Sequence, residues 1–580
     1  MALTKNEIGK LNWHTADLIR DKGNGNNNDA MSVAIPLIIF KRLLDMRKEY
    51  KEQFNSPVFT EQHNIMKMYG DIDQAIANYQ DNASEFAVKS DKLHLYRIQW
   101  SDILNFPDNH DTTIDLNYTD GFIGESLFQT NATDKVLFIE EIIDSFKDYK
   151  ISEIFNYFDF KTKINSSNIS QILSYEDFVK LLKEMDKYDL SLKNAPSDVF
   201  SDSYMDLLKR FAPQKGSKQG EFFTPNQIVK ALVQMINPTF NEEGITAIGD
   251  GSSGAATFMT EAAEHMVEQE RIRLGKKRLE PQERKAILEK LQIVIQEKDR
   301  VSFAAGEANL LLHGFLHRTQ AYHGNTITEF SEKIGQWLNK LNYMFVNPPY
   351  GLDDYGQDFA NEAKKEGKEL ERWGWGVPNS SDGEYAFMQS FLALISNSSK
   401  KAILGAVLPL GTLFRDSTLN QRKIFIEEKD WVEGIVMLPG KLFNTTDIPV
   451  CFWIFNKNKS PEQKGKVFFI NAEHDFIKTK NKNDLIIDDM VKTYLNRVDY
   501  LEKGIEGYAK WINLDVIKNN NFDLSVSKYV KKIKEKEIID INETLVTINT
   551  LKTELEKESD NLNLIFNQII NIFSDKNSEE

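Results

Sequence analysis

Short continuous apolar runs alternate along the middle of the chain with stretches whose apolar residues return every three or four positions. The runs cover 245–250, 291–297, 343–346, 401–409, 432–439 and 448–456, and each ends at an acid, an amide residue or a proline. Apolar runs of that length read as strands buried on both faces, the mark of a sheet covered by helices. Between them, 226–236, the stretch opening at Thr257, 300–313 and 385–394 carry helical spacing. The middle of the chain is therefore predicted to be α/β. Residues 1–195 read as mostly helical. A Gly- and Asn-rich loop at 22–28 precedes 33–50, where Phe40, Leu43, Leu44 and Met46 interleave with Lys41, Arg42, Arg47 and Lys48. Ser174 and Asp177 form the ends of a capping box before the next apolar stripe. Beyond about 531 the chain is highly charged, and Ile541, Ile548, Leu555, Leu562 and Ile569 recur every seven residues. Leu545, Phe566 and Phe573 fill some alternate positions, and Lys552 and Ser559 interrupt them. This predicts a coiled-coil or partner-docking helix, with packing on its own domain as the alternative. The resulting segments are 1–195, 196–475, 476–530 and 531–580.

Composition narrows the class. A chain of 580 residues with 41% hydrophobic and 27% charged residues is an ordinary globular protein. Its formal net charge of −16 argues against gripping DNA unaided, since phosphate contacts need Lys and Arg. It therefore hints at a partner that carries most of the DNA contact. The single cysteine, Cys451, cannot form an internal disulfide, and a cytoplasmic location is expected. The start lacks a signal-peptide core, and no apolar run reaches membrane-spanning length, so no membrane is implied. His14, His63, His94 and His110 show no ligand spacing, and no metal is implied.

Candidate chemistry lies at the ends of the predicted strands, where open α/β sheets bind ligands. The run at 343–346 stops at Asn347-Pro348-Pro349-Tyr350, because proline has no N–H for a ladder. The Asn347 side-chain oxygen and the Pro348 carbonyl can each accept one N–H of a planar amino group. Pro349 stiffens the turn, and Tyr350 can stack on the ring that bears that group. Earlier, the strand ending at Asp250 runs into Gly251-Ser252-Ser253-Gly254-Ala255-Ala256 and the helix from Thr257. Small residues there let the backbone approach a ligand. The turn is not the G-x-G-x-x-G of dinucleotide sites, which argues against NAD. Glu297 ends the next strand, where a carboxylate can accept both ribose hydroxyls of a nucleoside. Thr224 is expected to cap the helix after it, with Pro225 in the first turn and Gln227 completing a capping box. Residues 353–384, with Trp373 and Trp375, read either as a mobile loop beside the ligand or as a surface excursion.

The NPPY tetrapeptide resembles the catalytic motif of amino-methyltransferases that use S-adenosylmethionine (AdoMet). GEFFTP at 220–225, DGSSGAATFM at 250–259, QEKDRVSFAAGEANLLLHG at 296–314 and NPPYG at 347–351 occur in that order. Together they are similar to the modification subunit of type I restriction-modification systems, an N6-adenine DNA methyltransferase. The resemblance is good from about 200 to about 530. It implies a Rossmann-like AdoMet-dependent methyltransferase fold with a seven-stranded mixed sheet. A helical N-terminal domain that helps clamp DNA precedes it, and a long helix follows. It implies that Glu221, Phe222, Phe223, Thr224, Pro225 and Asn226 line the methionine part of AdoMet. It adds Asp250, Ser252, Gly254, Ala255, Ala256 and Thr257 around the cofactor, with Glu297 on the ribose. Asn325 falls where the family commonly has an Asp facing the AdoMet adenine. Gly251, Ser253 and Ala256 are mild departures from the family's turn. Asn347, Pro348, Pro349 and Tyr350 become the catalytic residues acting on an adenine flipped out of double-stranded DNA. Implied partners are a specificity subunit and a restriction subunit, with two copies of this chain per complex. A self-sufficient adenine methyltransferase, a protein or RNA amide methyltransferase and an inactive scaffold are the alternatives.

Overall fold

The structure, a computed structural model, describes 3–22, 33–45 without residue 43, and pieces of 114–203. It also describes 224–531, apart from 280, 352–353, 367–370, 444–447 and 480–481, and then 541–576. Leu43 and the polar end of the 33–50 stretch, the linker at 211–220, and Glu221, Phe222 and Phe223 lie outside the described residues. Two compact units are present, Met1–Lys531 and Lys532–Glu580.

In the first unit, helix α1 (Lys5–Lys22) and helix α2 (Tyr175–Asp186) are described. The Ser174 hydroxyl accepts from Asp177 N–H at 3.1 Å, as the capping box predicts. Lys41 and Arg42 depart from the expected polar face, being 2% and 0% exposed. Lys41 Nζ donates to the Tyr188 carbonyl at 2.9 Å, and Arg42 Nη1 donates to that of Ala195 at 2.6 Å. Long cationic side chains here bridge two segments rather than face water, and Lys41 also pairs with Asp45. The strands Ile114–Leu116 and Phe128–Thr130 pair antiparallel.

One nine-stranded mixed sheet organises the rest. Its strands are β1 (Thr246–Asp250), β2 (Leu291–Glu297), β3 (Thr319–His323), β4 (Tyr343–Val346) and β5 (Ile403–Pro409). They continue with β6 (Val432–Met437), β7 (Val450–Asn456), β8 (Lys466–Asn471) and β9 (Ala509–Asn513). The spatial order is β9-β8-β6-β7-β5-β4-β1-β2-β3. Strands β3, β2, β1, β4 and β5 run parallel, and β7 is antiparallel to both β5 and β6. The expected seven strands are thus extended by two at the β6 edge. Strand β8 adds in parallel to β6, and β9 pairs antiparallel with β8. Both faces of β8 are covered, Phe468 and Ile470 in one core and Val467 and Phe469 in the other.

That alternation holds across the sheet, because successive strand side chains point to opposite faces. Ile248, Tyr343 and Phe345 join helices α3 (Asn226–Ile236) and α4 (Thr257–Arg273) in one core. Ala247, Met344 and Val346 join helix α6 (Gly383–Leu394) in the other. Helix α5 (Arg300–Leu312) follows β2 and ends at Gly314, whose φ of 77° suits glycine. Each fully buried aliphatic side chain contributes roughly 1.5–3 kcal/mol, so the two-sided burial accounts for the continuous apolar runs. Cys451 is buried in β7 as a free thiol.

Among the described residues of 353–384, several are buried. Helix Tyr355–Glu366 is followed by Trp373 and Trp375, which are buried. Arg372 is 0% exposed, its guanidinium 4.1 Å from the Phe330 ring centroid and 4.0 Å from that of Trp373. The described residues of the second unit form one helix, α7 (Ile541–Lys576). Its Leu545, Leu555 and Leu562 are exposed.

Candidate active site

Parallel strands β2, β1, β4 and β5 end at one edge, which brings Glu297, Asp250, Asn347 and Pro409 to the same side of the sheet. The turn after β1 is tight. Gly254 and Ala256 both have positive φ, 50° and 56°, and Ala256 sits at the N-terminus of α4 in place of a side-chain cap. Gly251 packs against α6, where an added Cβ would lie 2.3 Å from Phe391 Cε1. Asn309 Nδ2 ties the turn to α5 through the Ala255 carbonyl at 2.9 Å. Gly254 N–H donates to Glu297 Oε2 at 2.8 Å, and Asp299 N–H donates to Glu297 Oε1 at 2.8 Å. Glu297 is only partly buried at its strand end, yet desolvation there raises its pKa. Asp250 is 1% exposed and accepts from Ser252 N–H at 2.9 Å. Burial pushes its carboxyl up to about 8, and the negative charge of Glu297 adds to the rise.

The NPPY segment follows β4 as expected. Asn347 and Pro349 are half-buried, whereas Pro348 and Tyr350 are buried. The Tyr350 ring meets Phe443 edge-on at 6.5 Å between centroids, and its hydroxyl donates to Asn347 Oδ1. In this conformation the phenol occupies the acceptor expected to receive a substrate amino group, and the ring lies in the core rather than presenting a stacking face. Asn347 Nδ2 donates to Thr224 Oγ1 at 2.9 Å. The expected capping role of Thr224 is not the one observed. Helix α3 starts at Asn226 with Pro225 at the cap position and no side-chain cap bond. The Thr224 hydroxyl instead meets the asparagine, because it lies beside the end of β4.

Asn325 also differs from expectation. Its Oδ1 accepts from Ile327 N–H at 2.9 Å and Thr328 N–H at 3.4 Å, a local Asx turn that uses the oxygen expected to face an adenine. Beside it, the Thr326 hydroxyl donates to the Gly251 carbonyl and so braces the glycine turn. Glu384 was not singled out by sequence. It is 1% exposed, its Oε1 accepts from Gly351 N–H at 3.2 Å, and Arg415 lies 3.5 Å from its other oxygen. Amid a charged stretch, nothing in local sequence separates Glu384 from a solvated surface acid.

The residues fit a nucleoside bearing a cationic centre. The Glu297 carboxylate and the buried Asp250 carboxyl line adjacent strand ends, small residues open the backbone between them, and the Ser253 hydroxyl is buried without a partner. Sheet order and site together define the fold of an AdoMet-dependent methyltransferase. The family model for N-6 DNA methylase matches residues 195–538, and the chain belongs to that family. The chain is similar to the type I restriction enzyme MjaVII methylase subunit of Methanocaldococcus jannaschii, 30% identical over 431 residues, 72% of this chain and 66% of that protein. It is also similar to the type I restriction enzyme MpnII methylase subunit of Mycoplasma pneumoniae, 24% identical over 550 residues, 93% of this chain and 91% of that protein. The chain spans 66% and 58% of the lengths of two Methanocaldococcus relatives. Its fold matches the crystal structure of the type I restriction-modification methyltransferase subunit from Streptococcus thermophilus. That match has a TM-score of 0.64 at 19% identity and covers 91% of this chain and 100% of that one.

Proposed function

We propose that the chain transfers the methyl group of AdoMet to adenine N6 in DNA, as the modification subunit of a type I restriction-modification system. The observation that carries this reading is an asparagine followed by two prolines at the end of β4, with the glycine turn at the end of the adjacent strand β1 and Glu297 at the end of β2, one strand further on. AdoMet, when bound, supplies an electrophilic methyl on a sulfonium. The chain's own residues do the rest. Glu297 accepts from the ribose hydroxyls, and the small residues 251–256 admit the amino-acid end. Asn347 Oδ1 and the Pro348 carbonyl accept the two N–H bonds of the adenine amino group. Held in that way, the nitrogen loses conjugation with its ring and its lone pair turns toward the methyl. Positioning of this kind supplies most of the rate gain available without a nucleophilic side chain. Asn347 Oδ1 accepts from the Tyr350 hydroxyl with one lone pair, which leaves the other for the amino group.

Adenine N6 lies inside a duplex, so the base must be flipped out to reach this site. The net charge of −16 supports a division of labour in which a specificity subunit supplies much of the DNA contact. The helix α7 (Ile541–Lys576), with its seven-residue apolar repeat, is suited to docking such a partner. A restriction subunit and a second copy of this chain complete the proposed assembly, which works in the cytoplasm. In this reading 1–195 clamps DNA, 196–475 and 476–530 form the catalytic body, and 531–580 docks the partner.

The test is Asn347→Ala in the assembled complex. Transfer of labelled methyl to adenine should fall about 100-fold or more, the scale seen when a developing charge loses a positioned partner. AdoMet affinity measured by calorimetry should stay within about twofold, because the acceptor serves the base and not the cofactor. Loss of AdoMet binding would overturn the division between base site and cofactor site.

A further inference from the structure

We infer that Thr224 is a positioning residue for the base: its hydroxyl anchors the Asn347 amide in place while Oδ1 receives the incoming amino group. The inference rests on the adenine-methyltransferase reading and gives Thr224 a task apart from lining the cofactor.

A side-chain amide is nearly symmetric in shape, so half a turn about its last bond exchanges donor and acceptor at small steric cost. A hydroxyl can donate or accept, so Thr224 anchors the amide and the donors of the base select the end that faces them. Asn347 has two such partners in this structure. Nδ2 donates to Thr224 Oγ1 at 2.9 Å, and Oδ1 accepts from the Tyr350 hydroxyl. Only one orientation serves the reaction. The adenine amino group presents two N–H donors, so Nδ2 turned toward it would set donor against donor. The Tyr350 hydroxyl bonds the same oxygen that the base takes, so it shares that atom with the base during catalysis. Thr224 is on the other side of the amide and keeps its bond while the base enters. Its hydroxyl makes no cap bond to α3. Pro225, at φ −55°, stiffens the backbone immediately after it.

The experiment compares Thr224→Val and Thr224→Ser in the full chain assembled with its specificity subunit. Valine keeps the shape and removes the acceptor, whereas serine keeps the hydroxyl. The expected result for Thr224→Val is a kcat about tenfold lower, the effect of one neutral hydrogen bond, with AdoMet Kd within about twofold of wild type. Thr224→Ser should recover most of the lost rate. The unchanged Kd doubles as the control that the valine variant is folded. A wild-type kcat in Thr224→Val, a loss confined to AdoMet affinity, or a serine variant as slow as the valine one would each overturn the inference. Failure of the underlying reading looks different, since the wild-type complex would then form no N6-methyladenine in digested DNA.

Discussion

Replacing Glu297 with glutamine tests the cofactor half of the site with little change of shape. Each carboxylate oxygen accepts a backbone N–H, Oε2 from Gly254 and Oε1 from Asp299, both at 2.8 Å. A glutamine has one acceptor oxygen and one amino group, so one of those N–H groups would then face a donor. The ribose hydroxyls lose a charged acceptor as well. A hydrogen bond to a charged group is worth roughly 1.5–3 kcal/mol, against roughly 0.5–1.5 for a neutral pair. Loss of the charged bond to the ribose corresponds to AdoMet binding about 10- to 150-fold weaker. Calorimetric titration with AdoMet, repeated with S-adenosylhomocysteine, measures the change without turnover. Thermal melting in the absence of ligand separates a lost ribose contact from a collapsed glycine turn. A Glu297→Gln variant that binds within about twofold of wild type would refute the ribose assignment, since no charge-assisted bond is so weak.

Two further outcomes follow from burial and from the division of the chain. The buried Asp250 carboxyl, raised to about 8, keeps its proton in the folded chain over a range where the unfolded chain has lost it. Its contribution to stability is therefore present at low pH and declines as pH rises from about 4 toward 8. Urea unfolding of wild type and Asp250→Asn should show their stability difference shifting against wild type by up to about 1.4 kcal/mol per pH unit, and a constant difference would refute the raised carboxyl. Among the described residues neither core includes one beyond Val530, so removing 532–580 is expected to leave both cores in place. The shortened chain should melt and bind AdoMet as wild type does, but fail to assemble with a specificity subunit in size-exclusion chromatography. Site-specific methylation by the shortened chain alone would refute the docking role of the last helix.

The middle of the fold was legible because its strands are buried on both faces. Tyr343–Val346 is a continuous apolar run and Leu291–Glu297 is apolar at its centre, and a segment with no polar face has few alternatives to a covered strand. The end of β4 was legible too, since two prolines cannot extend a ladder. The positions of Asp250, Glu297 and Asn347 follow from strand ends that sequence alone locates. What sequence left open depends on groups that meet only after folding. The strands β8 and β9 join the sheet through pairing partners elsewhere in the chain, which local periodicity does not encode. Trp373 and Trp375 sit among charges in the sequence but become core when Arg372 stacks between aromatic rings. Thr224 and Asn347 lie 123 residues apart, and their hydrogen bond exists only because α3 begins beside the end of β4. Hydrophobic pattern is written in each segment because burial acts on every side chain separately. The pairing of one hydroxyl with one amide is a matter of ångströms and angles, so only the tertiary structure decides it.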